Sequence, residues 1–191
     1  MKQGKIAESV LKRSIFKQLH LKRPDVLLAA GIGEDCAAFA VAEDEVAVIS
    51  ADPVIWEDSL DGRCAVHANL NDLAAGGAEP VGLMLTALLP PEIEEAQMRQ
   101  MVQMIAQECE PLQVQILGGH TEVTDAVKRP VVSIAAVGKA KKGMLSTTTG
   151  AKPGDDIVVT KWIALEATAK LARSRREALL SRYPRHLLDD A

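Results

Sequence analysis

The sequence predicts an α/β fold, followed by the beginning of a second α/β domain. Apolar runs of strand length recur between Val26 and Val137, and amphipathic or Ala-rich segments of helix length lie between them. The order mixes strands and helices and contains no repeat, which is typical of a single α/β layer architecture. A chain of 191 residues, 48% of them hydrophobic, has enough material to bury a core of this kind.

The first half of the chain supplies two helices and two strands. The predicted elements are a helix over Ala7 to Leu19, strands over Val26 to Ala30 and Val46 to Ala51, and a buried helix over Ala65 to Ala75. Gly76 and Gly77 are expected to end the second helix. Because proline cannot donate a hydrogen bond to a strand ladder, the second strand is expected to stop at Pro53.

The next segments continue the alternation. Val81 to Leu89 is a strand closed by Pro90 and Pro91, and Glu92 to Glu110 is the clearest helix, with a methionine stripe that is typical of core packing. Val114 to Leu117 and Val131 to Val137 add two more strands.

A composition change after Gly143 indicates a domain boundary between Ser146 and Gly154. The sequence therefore divides into a first domain over residues 1–145 and the start of a second over residues 146–191. A strand at Ile157 to Thr160, a helix at Ile163 to Ala172 and a charged helical tail at Arg173 to Leu188 are expected there. One strand and two helices do not make a core, so we expect a truncated second domain.

Charge and composition exclude several classes of function. A formal net charge of -4 gives no reason to expect nucleic-acid binding, and no apolar run has the length that crosses a bilayer. The opening residues lack the apolar core of a signal peptide, so a cytoplasmic protein is expected. Cys36, Cys64 and Cys109 form no paired motif and are interpreted as reduced, buried thiols.

Three acidic segments carry the candidate chemistry. They are GIGEDCAA, ISADP and NLNDLAAGGAEP, and each lies where a strand should pass into a loop or helix. Carboxylates in such places are costly to desolvate unless donors or a cation meet them. Because Mg²⁺ prefers hard oxygen ligands and often bridges carboxylates to phosphates, Asp35, Asp52 and Asp72 predict a magnesium-nucleotide site.

The same motifs, in the same order, resemble those of the aminoimidazole ribonucleotide (AIR) synthase superfamily. GIGEDCAA resembles its glycine-acid-acid loop, NDLAAGGAEP its Asn-Asp helix and Gly-Ala-x-Pro turn, and GGHTEV its second glycine-rich motif. The segment beginning AKPGDD resembles the opening of its C-terminal domain. The resemblance implies a domain whose mixed sheet pairs with a second subunit in a dimeric barrel, and a site for ATP, Mg²⁺ and a small-molecule substrate.

The resemblance also assigns residues to this site. Asp35, Asp52 and Asp72 are expected to bind the metal ion. The residues expected to contact the nucleotide are Gly31, Gly33, Asn71, Gly118, Gly119, His120 and Thr121. His120 departs from the acidic residue of the purine and thiamine members, so either it contacts metal or phosphate, or Glu122 takes the acidic role and His120 is bonded within a loop. The sequence identifies no general base.

Three functions stay open. The GKIAESVL opening and GGHTEV are most similar to proteins related to the hydrogenase maturation factor HypE, which favours an ATP-dependent enzyme that activates a small substrate by phosphoryl transfer. A thiamine monophosphate kinase-like activity is the second possibility. The third is a dimeric nucleotide-binding scaffold without catalysis.

Overall fold

The structure is a computed structural model that describes residues 8–14, 24–29, 31–34, 36–57, 59–159 and 163–189. Asp35 and the end of the helix predicted over Ala7 to Leu19 lie outside these residues. The chain divides into two compact units, Met1–Gly150 and Ala151–Ala191. The first unit holds the sheet and is described first.

A six-stranded mixed sheet forms the first unit, in the order β1-β2-β3-β6-β4-β5. Its elements are α1 (Glu8–Ser14), β1 (Val26–Leu28), β2 (Cys36–Ala40), β3 (Glu45–Ile55), α2 (Ser59–Ala75), β4 (Glu79–Leu89), α3 (Glu95–Cys109), β5 (Gln115–Val123) and β6 (Val131–Lys141). Two short 3₁₀ helices follow, Lys142–Met144 and Thr148–Gly150. All neighbouring strands are antiparallel except β4 and β5, which are parallel.

The core lies between one face of the sheet and the two long helices. Val48 of β3, Leu83 of β4 and Ile134 of β6 are fully buried on this face, together with Leu73 of α2 and Ile105 of α3. The buried side chains follow the period of two that a half-buried strand requires. The helices predicted over Ala65 to Ala75 and Glu92 to Glu110 are confirmed as the bodies of α2 and α3.

The other face of the sheet is not covered by α2 or α3. Phe39, Ile55 and Met84 occupy register positions on this face and are exposed. Ala51 and Pro53 of β3 lie between them on the same face and are also exposed. The sheet therefore presents an apolar surface opposite its helices.

The strands agree with the sequence in position but differ in length. The sequence missed β2, because the Ala-rich run Cys36–Ala40 directly follows an acidic loop. The expected stop at Pro53 is wrong, since β3 continues to Ile55. The pairing of β2 with β3 ends at Ser50. Among the described strands, only β6 therefore pairs with β3 at Pro53, and such an edge tolerates proline.

β5 is also longer than the sequence suggested. The strand continues beyond Leu117 to Val123 and therefore includes the whole GGHTEV motif. Gly118 and Gly119 both have φ of 149°, a conformation that favours glycine. A Cβ atom on Gly119 would lie 1.7 Å from the carbonyl oxygen of Leu85, so only glycine permits this close pairing of β5 with β4.

The secondary-structure elements described in the second unit are all helices. It contains α4 (Leu165–Ser174), α5 (Arg176–Leu180) and α6 (Arg185–Asp189), and an ion pair joins Arg176 to Asp189. The strand predicted at Ile157 to Thr160 is wrong for its described residues: Ile157 is 95% exposed, and residues 157–159 pair with no described strand. A strand needs a neighbour for its backbone hydrogen bonds, and this short unit supplies none among its described residues. The charged tail forms two helices, α5 and α6, that are separated near Pro184, because proline in the interior of a helix removes a hydrogen bond and clashes with the preceding turn.

Candidate functional site

A polar cleft of about 150 Å³ lies at the C-terminal end of α2. Four segments of the first unit form it: the end of β1, the glycine-flanked loop with the start of β2, the last turn of α2, and the chain after β6. We call it the Asp72 cleft. Its lining residues are Leu28, Gly33, Glu34, Cys36, Asp72, Ala75, Gly76, Ser146, Thr147 and Thr148.

Asp72 is fixed in this cleft by contacts with two neighbouring strands. The hydroxyl of Ser50 on β3 donates a hydrogen bond to Oδ2 of Asp72 over 2.6 Å. The thiol of Cys36 on β2 donates to the backbone carbonyl of Asp72 over 3.2 Å. Asp72 itself is half-buried. These contacts hold a carboxylate at the cleft wall, where hydrogen bonds of this kind are short and strong.

The end of α2 is built by its two glycines. Gly77 has φ of +78°, and the amide of Ala78 donates to the carbonyl of Leu73, which is the pattern of a glycine-terminated helix. A Cβ atom on Gly77 would lie 2.2 Å from the carbonyl oxygen of Met144. The amide of Ser146 donates to the carbonyl of Gly76 over 3.1 Å. The chain after β6 is thereby held against the end of α2, and it completes the cleft.

The opposite wall of the Asp72 cleft is the glycine-flanked loop. Gly33 has φ of +77°, a conformation that an L side chain adopts only with strain. The hydroxyl of Thr148 donates to Oε1 of Glu34 over 2.6 Å. This bond ties the loop to the chain after β6, and it places a second carboxylate on the cleft wall. Gly31 adjoins the wall, since a Cβ atom there would lie 3.3 Å from Cγ of Glu34.

The other predicted residues of this half of the chain lie nearby but do not line the cleft. Asp52 is exposed on β3, and its backbone amide donates to Oδ1 of Asn69 over 3.1 Å. Asn71 is exposed on α2. The structure therefore brings Gly33 and Asp72 together, with Gly31 beside them.

The remaining predicted residues belong to β5, at one edge of the sheet. Gly118, Gly119, His120 and Thr121 are exposed there, and β3, β6 and β4 separate β2 from β5. Nε2 of His120 lies 3.4 Å from Oε2 of Glu122, so the two side chains that the sequence treated as alternatives lie next to each other. They are not part of the Asp72 cleft of the same chain.

The donor set of the Asp72 cleft suits a hard cation. Its wall carries carboxylate oxygens of Glu34 and Asp72 and hydroxyl oxygens of Thr147 and Thr148, which are ligand types that Mg²⁺ prefers. Among the described residues, which do not include Asp35, no group of three or more His, Cys, Asp or Glu side chains is close enough to hold a metal ion. The residue types therefore suit Mg²⁺, but the described carboxylates do not form a complete coordination shell.

Sequence reasoning missed Glu34, Ser50, Thr147 and Thr148 as cleft or support residues. Glu34 stands inside the quoted GIGEDCAA motif and could have been selected with its neighbour Asp35. In the sequence, the Ser- and Thr-rich run indicates only a domain boundary. No local pattern shows that it returns to the glycine-flanked loop, because the contact spans 114 positions of the chain.

A second and larger cleft, of about 820 Å³, lies at the other end of α2. We call it the Trp56 cleft, since Trp56, Ile93, Met101 and Met104 form its apolar wall. A Cβ atom on Gly62 would lie 2.9 Å from Cη2 of Trp56, so the glycine makes room for the indole against α2. None of the residues selected from the sequence lines this cleft.

The fold and the Asp72 cleft together indicate the class of protein to which the chain belongs. A mixed six-stranded sheet is covered on one face by two helices, and the glycine-flanked loop meets the Asn-Asp helix at the cleft, so two of the motifs that resemble those of the AIR synthase superfamily lie together. The family model described as AIR synthase related protein, N-terminal domain, matches residues 33–140. This is more than half of the chain, and the chain belongs to that family.

Two curated relatives and one solved structure illustrate the similarity. A hydrogenase expression/formation protein of Methanocaldococcus jannaschii is 28% identical over 166 residues, which cover 82% of this chain and 48% of that protein. Thiamine-monophosphate kinase of Escherichia coli is 33% identical over 154 residues, covering 76% of this chain and 45% of the kinase. The chain therefore spans about half the length of these relatives.

The solved structure is that of AaThiL complexed with AMPPCP and TMP. It has a TM-score of 0.69 and 18% identity, and covers 96% of this chain and 57% of that one. At this identity the likeness shows the fold alone, and the predicted α/β fold is confirmed.

No helix among the described residues is long and apolar enough to cross a membrane.

Proposed function

We propose that this chain is the ATP- and magnesium-binding N-terminal part of an enzyme that activates a small substrate by phosphoryl transfer. The observation that carries the proposal is the meeting of Gly33, Glu34 and Asp72 at one polar cleft. The names of the relatives support it, since one is a kinase and one solved neighbour is complexed with AMPPCP.

The size of the Asp72 cleft limits what it holds. Sites for drug-sized ligands measure about 300 to 1,000 Å³. A volume of about 150 Å³ suits a phosphate group or a hydrated cation, so the rest of the nucleotide would bind outside the cleft. Asp72 and Glu34 would hold the metal ion, with Asp35 and Asp52 as further ligands predicted from the sequence. Bound Mg²⁺ would neutralise charge on the transferred phosphoryl group, while the protein supplies position and orientation.

Calorimetric titration with ATP, with and without Mg²⁺, tests this proposal. We expect Asp72→Asn to weaken magnesium-dependent ATP binding about tenfold or more, because a ligand carboxylate becomes neutral. Asp125→Asn is the matched control, since Asp125 is exposed in a turn and does not line the Asp72 cleft. Absence of magnesium-dependent binding, also in a full-length protein, would contradict the proposal, whereas binding by a full-length protein that turns over no ATP would favour the non-catalytic scaffold.

The reaction itself is proposed from similarity. We favour a HypE-like activity, in keeping with the hydrogenase expression/formation relative. A thiamine-monophosphate kinase-like activity is the alternative, and the identity to the E. coli kinase favours it. ADP release by the full-length protein in the presence of thiamine monophosphate tests the alternative, because stimulation by this substrate supports the kinase and its absence argues against the kinase.

A homodimer is part of the proposal, and the uncovered face of the sheet supports it. Ile55 is 59% exposed there, and Phe39 and Met84 extend the same apolar face. Exposed apolar surface of this kind commonly marks an interface. We expect Met84→Glu to shift the protein toward a monomer in light scattering, whereas Leu112→Glu, exposed outside the sheet, leaves its mass unchanged. A monomeric wild-type protein would contradict the dimer.

A cytoplasmic location and the lack of nucleic-acid and membrane partners stay predictions from composition.

A further inference from the structure

Two polar hydrogen bonds connect β3 to α2 beside the Asp72 cleft. Ser50 donates to Oδ2 of Asp72 over 2.6 Å, and the amide of Asp52 donates to Oδ1 of Asn69 over 3.1 Å. Ser50 and Asp52 share one face of β3, because they are two positions apart. Asn69 and Asp72 are three positions apart on α2 and so lie on one side of the helix.

Ser50 and Asn69 are unusual because they are polar and buried. Ser50 is 2% exposed and Asn69 is 0% exposed. A buried amide or hydroxyl is costly unless its hydrogen bonds are made. Asn69 meets this requirement on both sides, since Nδ2 donates to the carbonyl of Ala65 over 2.9 Å while Oδ1 accepts from Asp52. Alanine or leucine would fill these positions in a purely apolar core.

We propose that Ser50 and Asn69 are positioning residues that hold the acidic residues of the candidate site in place; this rests on the proposed function. Ser50 fixes the orientation of the Asp72 carboxylate by binding Oδ2, and Oδ1 is the oxygen that it leaves for a ligand. Asn69 fixes the backbone of Asp52 relative to the same helix. Sliding or rotation of α2 along β3 would break both bonds, so the two residues set the helix register at which Asp52 and Asp72 are presented.

Binding measurements on substituted chains test this inference. Ser50→Ala removes the hydroxyl, and we expect magnesium-dependent ATP affinity to fall about five- to tenfold. Ser50→Thr keeps the hydroxyl on a side chain that suits a strand, and we expect it to restore the affinity to within about twofold of wild type. Asn69→Leu keeps the approximate volume and removes both side-chain hydrogen bonds, and we expect a similar fall in affinity.

A purely structural role makes a different prediction. It would lower the thermal unfolding midpoint of Ser50→Ala and Asn69→Leu while the folded proteins bind ATP with unchanged magnesium dependence. Wild-type affinity in both variants, together with weakened binding by Asp72→Asn, would overturn this inference and leave the proposed function standing. Failure of the wild-type chain and of a full-length protein to bind ATP with Mg²⁺ would overturn the proposed function and this inference with it.

Discussion

The Asp72 cleft and β5 both carry glycine-rich motifs, and their glycines meet different surroundings. At Gly33, beside the cleft, the nearest atom to an added Cβ would be Oγ1 of Thr148 at 3.8 Å, which is ordinary contact. At Gly119, in β5, the added Cβ would lie 1.7 Å from a backbone oxygen of β4. An added Cβ would therefore fit beside Gly33 without a clash, whereas at Gly119 it would overlap the neighbouring backbone.

The difference separates two reasons for a glycine-rich motif. Space beside a left-handed glycine and a carboxylate is compatible with an approaching phosphate. Close contact with a neighbouring strand explains a glycine without any ligand. The same type of sequence signal can thus arise from sheet pairing, and the structure gives Gly119 a packing role in addition to the nucleotide contact implied by the family resemblance.

The largest expected effect is on stability, at Gly119. We expect Gly119→Ala to lower the free energy of unfolding by about 3 kcal/mol, because its Cβ must displace the β4 backbone and its φ is strained. Denaturant titration measures this change. Gly143→Ala is the control, since no heavy atom lies within 4 Å of a Cβ at Gly143, and we expect less than about 0.5 kcal/mol there. Equal stability of both variants would remove the distinction between the two regions.

A smaller effect on stability, with a larger one on binding, is expected at Gly33. Its φ of +77° costs an alanine about 1 kcal/mol, and the neighbouring space accepts the methyl group. We expect Gly33→Ala to reduce the free energy of magnesium-dependent ATP binding by more than the free energy of unfolding that this strain removes. Calorimetry and denaturation on the same sample measure both quantities. A variant with lower stability and unchanged affinity would assign Gly33 to the same structural role as Gly119.

The smallest expected effect concerns the reactivity of two cysteines, one at the Asp72 cleft and one before β5. Cys36 is half-buried in the Asp72 cleft, while Cys109 is buried at the end of α3, before the turn into β5. Burial, with a smaller contribution from Glu108, raises the pKa of the Cys109 thiol, so less of the reactive thiolate is present at a given pH. We expect iodoacetamide at pH 8 to label Cys36 before Cys109, and ATP with Mg²⁺ to slow labelling at Cys36. Mass spectrometry of the peptides measures both rates, and faster labelling of Cys109 in the folded protein would contradict the prediction.

Much of the first unit follows from its sequence because its signals are local. The Ala-rich run before Gly76 specifies α2 by its composition and by the glycines that end it, and the methionine stripe specifies α3 by its period. β2 and the second half of β5 were missed because their residues, CAAFA and GGHTEV, lack the strong alternation of a half-buried strand. Pairing with β3 and β4 supplies what their own sequences do not.

Residue type and order are enough to identify the family, the alternation of helices and strands, and the acidic residues of the candidate site. Which of the predicted residues meet depends on the folded chain: Asp72 and Gly33 share a cleft, Asp52 is held by Asn69 outside the cleft lining, and Gly118 to Thr121 belong to an edge strand. The folded chain also adds Glu34, Ser50 and Thr148. Contacts between residues far apart in the chain depend on sheet order and helix register, and no local pattern encodes these.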